Sequence, residues 1–276
     1  MERRRSLFPT LVTITGMTAS GSCGEKAAAN RVQVRPAGAG HEIAIAKLML
    51  AIWPHAEADP TQISRAMGQQ GHLCLVALAG DELVGFSDGF VTRSAQGVSR
   101  WELDLLAVDP AWQGHGIGQQ LIREQTGAGL RQGAFMARAL IHCYNRPSQR
   151  AFSHCGFRCR PEVLALCVHP RPEELEASDF SGWHAVTVET LAYSGIWLEG
   201  DFSTPQDSCG AEIDQMISGQ HSAAVSRAPT AWPLPESGSN VRVGMLVPRT
   251  RSTLIGQALR CGFSFAGNYQ TWIRQG

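Results

Sequence analysis

The chain has 276 residues, 43% hydrophobic and 17% charged, with 24 basic side chains balancing 24 acidic ones. That is globular composition, long enough for one or two domains of about 100–200 residues each. Zero formal charge supplies no global field toward nucleic acid or an anionic membrane, so neither is expected as a partner.

The first thirty residues, "MERRRSLFPTLVTITGMTASGSCGEKAAAN", have a basic start, few acids and many Ser and Thr. They read as a disordered leader, with a targeting peptide and a start at Met17 as alternatives. From residue 31 the pattern becomes regular. "RVQVR" (31–35) alternates as a strand, and "HEIAIAKLMLAIW" (41–53) has helical spacing. A second short helix is expected near 61–69. "HLCLVAL" (72–78) and "LVGFSDGFVTR" (83–93) flank the turn "AGDE" as a hairpin. "RWELDLLAV" (100–108) is a further strand, followed by a helix from Gly116 to about Leu130. "FMARALIH" (135–142), a helix over 146–154 and "EVLALCV" (162–168) complete the region. The fold class is α+β, a mixed sheet flanked by helices: antiparallel strands first, then β-α-β-α-β.

Three glycines crowd into "VDPAWQGHGIGQQL" (108–121), where a strand gives way to a helix. Each costs roughly 0.5–1 kcal/mol relative to alanine in a helix. Such a turn presents unpaired backbone N–H groups at the positive end of a helix dipole, a cradle for phosphate. The order Q-x-x-G-x-G is not the dinucleotide fingerprint, and Gln119-Gln120 stand where a P-loop needs Lys and Ser or Thr.

Gln113, Gly114, His115, Gly116, Ile117 and Gly118 together resemble the acyl-CoA pyrophosphate loop of the GNAT acyltransferase superfamily. "LDLLAVDP" is similar to that family's fourth strand, and "NRPSQRAFSHCGF" (145–157) to its N-x-x-S/A-x-x-x-Y/F-x-x-x-G-F segment. The resemblance covers about residues 31–170. It implies an N-acetyltransferase moving an acetyl group from acetyl-CoA, the cosubstrate, to a primary amine of a small molecule or protein. Pantetheine would insert between splayed fourth and fifth strands, along Leu106, Ala107 and Val108, with Asn145 and Ser148 on the thiol side. An Asn before a helix is equally an N-cap.

Glu102 stands eleven residues before Gln113, where the protein-lysine branch of the family places its base. Alternation puts Asp104 on the same face unless a bulge intervenes. Phe152 occupies the family's usual tyrosine position, so the thiolate's proton must come from water or from a neighbour such as Tyr144, Ser148 or Cys155. That departure keeps a second class open, a non-catalytic acyl-CoA-binding or interaction module.

The remaining residues, 171–276, hold a repeat. An offset of 106 lays Cys155-Gly156-Phe157 on Cys261-Gly262-Phe263 and superposes the flanking strands, "VRVGMLVP" (241–248) and 261–274. Residues 184–202 read as one strand, 211–220 as a short helix and 225–240 as a loop. This is a degenerate GNAT-like second part without the glycine loop, with an unrelated α+β cap as the alternative. The expected assembly is a monomer of pseudo-dimeric tandem halves whose second half helps shape the acceptor pocket. The eight cysteines read as reduced thiols of a cytoplasmic protein, no metal site is expected, and no apolar run nears the ~18 residues of a membrane helix.

Overall fold

The computed structural model describes residues 32–171, 174–175, 180, 183–200 and 241–276. The expected leader, the 211–220 helix and the 225–240 loop lie outside the described residues.

Strands β1 (Val32–Pro36), β2 (His72–Ala79), β3 (Glu82–Arg93) and β4 (Ser99–Val108) form an antiparallel meander. Helices α1 (Glu42–Ile52) and α2 (Pro60–Met67) intervene between β1 and β2. Asp59 caps α2 by accepting the Thr61 N–H at 2.9 Å, and Pro60 supplies the preset φ of a first helical turn. Helix α3 (Ile117–Arg131) then leads to β5 (Met136–His142), which runs parallel to β4. Helix α4 (Arg146–His154) leads on to β6 (Arg158–His169). Residues 184–200, the described part of the expected 184–202 strand, depart from expectation. They form a hairpin of β7 (Trp183–Glu189) and β8 (Ser194–Gly200), not one strand. The Thr190 hydroxyl accepts the N–H groups of Ala192 and Tyr193, so a side chain closes a turn that carries no glycine or proline. Strand β9 (Val241–Pro248), α5 (Ser252–Arg260) and β10 (Ser264–Gln275) complete the chain.

Among the described residues, the ten strands join one sheet in the order β1-β2-β3-β4-β5-β10-β6-β9-β8-β7. A shift of 106 residues lays the bounds of α4 on those of α5 and the bounds of β6 on those of β10. Yet each half's last strand crosses to the other half. Strand β10 pairs with β5, β6 pairs with β9, and β6 and β10 meet antiparallel at the centre. The two halves are thereby interleaved.

Helix α3 covers the outer face, where Ile117, Leu121 and Ile122 pack on Leu103, Leu106, Val108 and Ile141. Gly129 has a structural reason: a Cβ there would come within 2.1 Å of the buried Trp101 ring. Helices α1 and α2 cover the inner face, placing Ile45, Met49 and Ile63 against Phe86, Phe90, Leu105 and Leu140. The same cluster takes in Leu166, Tyr193, Trp197 and Leu246, because the sheet curls until β7 reaches β3. His184 Nε2 lies 2.9 Å from the Arg93 carbonyl, and Gln62 of α2 donates to the Thr190 carbonyl at 2.9 Å.

Candidate active site

The parallel ladder between β4 and β5 is short. It runs from Arg100↔Met136 to Leu103↔Ala139 and stops there, although β4 continues to Val108 and β5 to His142. Beyond Leu103 the strands part, and β4 keeps only its β3 neighbours, Leu106 opposite Ser87, Ala107 opposite Phe86 and Val108 opposite Gly85. The β5-facing edge of residues 104–108 therefore has no ladder partner among the described residues. An extended amide chain could pair with such an edge. The second half differs at the equivalent place. Strands β8 and β9 stay paired from Ser194↔Val241 to Glu199↔Leu246.

The glycine loop sits at the mouth of this gap. Gly114 and Gly116 have φ of +80° and +82°, conformations an L side chain resists, and a Cβ on either would meet nothing within 4 Å. Gly116 is the N-cap of α3 and contributes no side-chain cap, so the helix's first N–H groups point toward the loop. Within the loop, Gln113 Nε2 donates to the Val108 carbonyl at 2.9 Å, and His115 Nδ1 lies 3.3 Å from the Trp112 carbonyl. Ile117 is buried under the helix, and Gly118 belongs to the first helical turn. Gly116→Glu would set a carboxylate among these donors. Acetyl-CoA binding by calorimetry is expected to disappear, while the circular dichroism spectrum stays as in the parent protein.

Strand β4 carries its two carboxylates on the inner face. A bulge sets Asp104 and Leu105 opposite the single residue Asp88, so the alternation that puts Glu102 and Asp104 on one face breaks at Leu105. Their surroundings differ sharply. Glu102 accepts from Arg138 Nε at 2.8 Å and from the Thr92 hydroxyl at 2.5 Å, with Arg100 Nε at 3.3 Å. Glu199 of β8 binds the same two guanidiniums, Arg100 at 2.8 Å and Arg138 at 2.5 Å. The four side chains form a buried ring of alternating charge. Burial opposes the charge of Glu199, but Arg138 and Arg100 outweigh it and pull its pKa down to about 2. Burial likewise opposes the charge of Arg138, and Glu102 and Glu199 more than restore it.

Removing one member of such a ring leaves an uncompensated guanidinium. Glu199→Gln is expected to cost toward the lower end of ~3–5 kcal/mol, measured by urea unfolding at pH 7. Because the folded-state pKa of Glu199 is depressed, its contribution is complete above the ordinary carboxylate value of 4.5 and fades as pH falls toward about 2. The difference between parent and variant should shrink across that window.

Asp104 has no such partners. It is 2% exposed, and neither carboxylate oxygen has a hydrogen-bond partner among the described residues. Burial, then the charges of Asp88 and Glu102, push its pKa well above the usual carboxylate range. Asp88 itself faces His72, Nε2 to Oδ1 at 3.0 Å, and the Leu191 N–H at 3.4 Å. An unpaired buried carboxyl beside an open strand edge is a group whose proton can move.

Asn145 caps α4, accepting the Ser148 N–H at 3.2 Å, and Ser148 is fully buried. Tyr144 is 82% exposed, with its ring 5.6 Å from that of His142, so it is not a core residue. Phe152 is buried edge-on against Phe157 at 4.9 Å. Cys155 donates its thiol to the Gln119 carbonyl at 3.5 Å. Three aromatic groups on the inner face had no local sequence signal. Tyr193 is buried with its hydroxyl accepting from Trp197 Nε1 at 2.7 Å. Tyr269 packs edge-on to His142 at 5.2 Å, and burial lowers the pKa of His142. Tyr193 could be placed here only by knowing that the β7–β8 turn reaches Asp88. Among the described residues, no group of three His, Cys, Asp or Glu side chains is arranged to hold a metal, and no helix is long and apolar enough to cross a membrane.

Residues 43–157 match the model of the acetyltransferase (GNAT) family. No curated protein sequence matches the chain. Among solved structures, the chain is similar to an acetyltransferase from Bacillus subtilis in complex with CoA. That pair shares 21% identity over 48% of this chain and 79% of the other, with a TM-score of 0.38. It is also similar to NAA60 of Arabidopsis thaliana in complex with acetyl-CoA (15% identity, 48% and 90% covered, TM-score 0.44). A third is yncA of Salmonella typhimurium, called a putative acetyltransferase, with its cofactor acetyl-CoA (21%, 48% and 83%, 0.43). The acetyltransferase (GNAT) family match thus falls on residues 43–157, the stretch that holds the open β4 edge and the glycine loop.

Proposed function

We propose that the protein is an N-acetyltransferase in which acetyl-CoA lies along the open edge of β4 and a primary amine enters from the inner face. One observation carries the reading. The β4–β5 ladder breaks at Leu103↔Ala139, and the glycine loop Gln113–Gly118 stands at the wider end of that break. The loop's backbone N–H groups and the α3 dipole suit a pyrophosphate. Leu106, Ala107 and Val108 offer backbone groups to pantetheine, and the α4 N-terminus at Asn145 and Ser148 borders the gap. No metal or second cofactor is needed for the steps that follow.

Of the two β4 carboxylates, Asp104 suits the base. Glu102 is committed to Arg138 and Arg100, which stabilise its ionised form and weaken it as a proton acceptor. The raised pKa of Asp104 brings it nearer the ammonium it must deprotonate. The ionised carboxylate takes one proton from the acceptor ammonium. The amine nitrogen then bonds to the thioester carbonyl carbon, whose oxygen charge a β4 backbone N–H can stabilise. The C–S bond breaks, and the second nitrogen proton passes to the CoA thiolate, relayed by water or the Tyr144 hydroxyl, which leaves the neutral amide and CoASH. The second half closes the inner face over Asp104 through Tyr193 and Trp197, doing within one chain what a partner subunit would otherwise do. The test is thiol release from acetyl-CoA against a panel of amines. Release coupled to a mass gain of one acetyl group on the amine supports the reading. Acetyl-CoA binding with no release from any amine supports the non-catalytic module instead.

A further inference from the structure

The carboxyl assigned as base does not stand alone on the inner face. At the β4 bulge, Asp104 and Leu105 face the single β3 residue Asp88, so two buried carboxyls meet across the β3–β4 ladder. Asp88 lies between Phe86 and Phe90, both in the inner cluster, and alternation puts all three on one face. His72 of β2 stands opposite Phe90, its ring stacked on the phenyl ring at 6.0 Å with 2° between the planes. In that orientation His72 Nε2 lies 3.0 Å from Asp88 Oδ1, and the imidazole is 2% exposed. The Leu191 N–H, from the turn between β7 and β8, donates to Asp88 Oδ2 at 3.4 Å. Each oxygen of Asp88 thus faces a nitrogen. Neither oxygen of Asp104 has a hydrogen-bond partner among the described residues.

We propose that His72 is a positioning residue: through Nε2 it holds Asp88 ionised, so that the proton shared by the Asp88–Asp104 pair rides on Asp104, at the open edge of β4. The inference rests on the reading of Asp104 as the base. Two like charges in one buried site do not both ionise readily, so the pair keeps a proton at a pH where an isolated carboxyl has lost it. Nitrogen donors at Asp88 favour its ionised form and leave that proton to Asp104. Ionised Asp88 in turn makes Asp104 the stronger base. Burial opposes a charge on His72, but Asp88 and then Glu189 outweigh it and raise its pKa. The charges that act on Asp104 are those of Asp88 and Glu102, so His72 works through Asp88.

The other titratable groups around the pair have fixed roles. Glu189 of β7 accepts from Gln62 Nε2 at 3.1 Å and from the Ser194 hydroxyl at 3.0 Å, with Arg65 of α2 at 3.8 Å. Glu102 is held by Arg138 and Arg100. Cys74 stands opposite Asp88 on β2, and burial, then the Asp88 charge, push its thiol well up. Burial, then the Asp104 charge, do the same to the Tyr193 phenol, on which Arg242 of β9 acts in the opposite sense.

The experiment uses the full-length protein and two readouts. One is the pH profile of kcat/KM for the amine giving the fastest thiol release from acetyl-CoA. The other is a carboxyl 13C titration of the free protein, which needs no turnover. In the parent, Asp88 should titrate below Asp104. His72→Leu removes the Nε2 partner, so the shared proton moves to Asp88 and Asp104 titrates beside a neutral carboxyl. The acid limb should move about one pH unit or more toward acid. The plateau should fall several-fold, because Asp104 has become a weaker base. His72→Gln keeps an N–H donor without a titrating ring and should lie closer to the parent. Asp88→Asn should shift the limb in the same direction, and adding His72→Leu to it should shift the limb no further. Acetyl-CoA affinity by calorimetry should stay unchanged throughout, which also reports that the variants fold. A limb that stays in place in His72→Leu, a second shift in the double variant, or Asp104 titrating below Asp88 in the parent overturns the proposal and leaves acetyl transfer intact. No thiol release from any amine, with Asp88 titrating below Asp104 and His72→Leu reversing that order, overturns acetyl transfer and upholds the assignment of the proton.

Discussion

A chain ending at residue 170 should be recovered only as aggregate, or as a species without a cooperative unfolding transition. The cut removes β10 from between β5 and β6, and β9 from the far side of β6. Strand β6 would keep neither ladder partner, and β5 would lose the one that pairs it along its whole length, from Met136 to His142. Leu140, Leu166 and Val168, each buried in the complete chain, would face water on an unprotected sheet edge. Arg100 and Arg138 would lose Glu199 at the same time. Size-exclusion chromatography and circular dichroism decide the matter. A soluble, folded monomer of residues 1–170 would mean that β6 can close directly onto β5, and that the interleaving is dispensable.

Asp104→Asn should lower kcat/KM for the amine by about 10²–10⁴-fold, the usual worth of a general base, with acetyl-CoA affinity unchanged. The substitution keeps size and shape while removing the proton acceptor. The pH dependence gives an independent check. The base works only when ionised, and burial with the Asp88 and Glu102 charges raises the pKa of Asp104. The acid limb of the kcat/KM profile should therefore lie above the ordinary carboxylate range. Asp88→Asn removes one of those charges, so the limb should move to lower pH. The groups facing Asp88 and Asp104 are His72 on β2, Glu102 on β4 and Tyr193 before β8, and Arg242 on β9 acts on Tyr193. Activity of Asp104→Asn near the parent level would assign the proton to Glu102, to water or to a step before binding.

Local chemistry was legible in the sequence because it is written locally. The hairpin around Gly80 and the helix opening at Gly116 rest on residues close along the chain, and their elements stand within a few residues of their expected bounds. The exchange of β6 and β10 was not legible. Alternation tells which face of a strand is buried, never which strand lies beside it. The same holds for the ion-pair ring. Arg138 and Glu199 are 61 residues apart, and Arg100 and Glu199 are 99 apart. Glu102 and Asp104 looked alike as two inward carboxylates. What separates them is the pair of guanidiniums on Glu102, both of them shared with Glu199 of β8. Asn145 could be read as ligand or as cap, and its side chain accepts the Ser148 N–H, so the capping role is present whatever it does with CoA.

Hydrogen exchange on the full-length chain, with and without acetyl-CoA, tests the placement of the cosubstrate most directly. Saturating acetyl-CoA should slow exchange at the β4 edge, residues 104–108, and at the Gln113–Gln119 loop and helix start. The paired β8–β9 ladder of the second half should be unaffected. Protection confined to β8, β9 and α5, or no protection at β4 under saturating acetyl-CoA, would contradict the account.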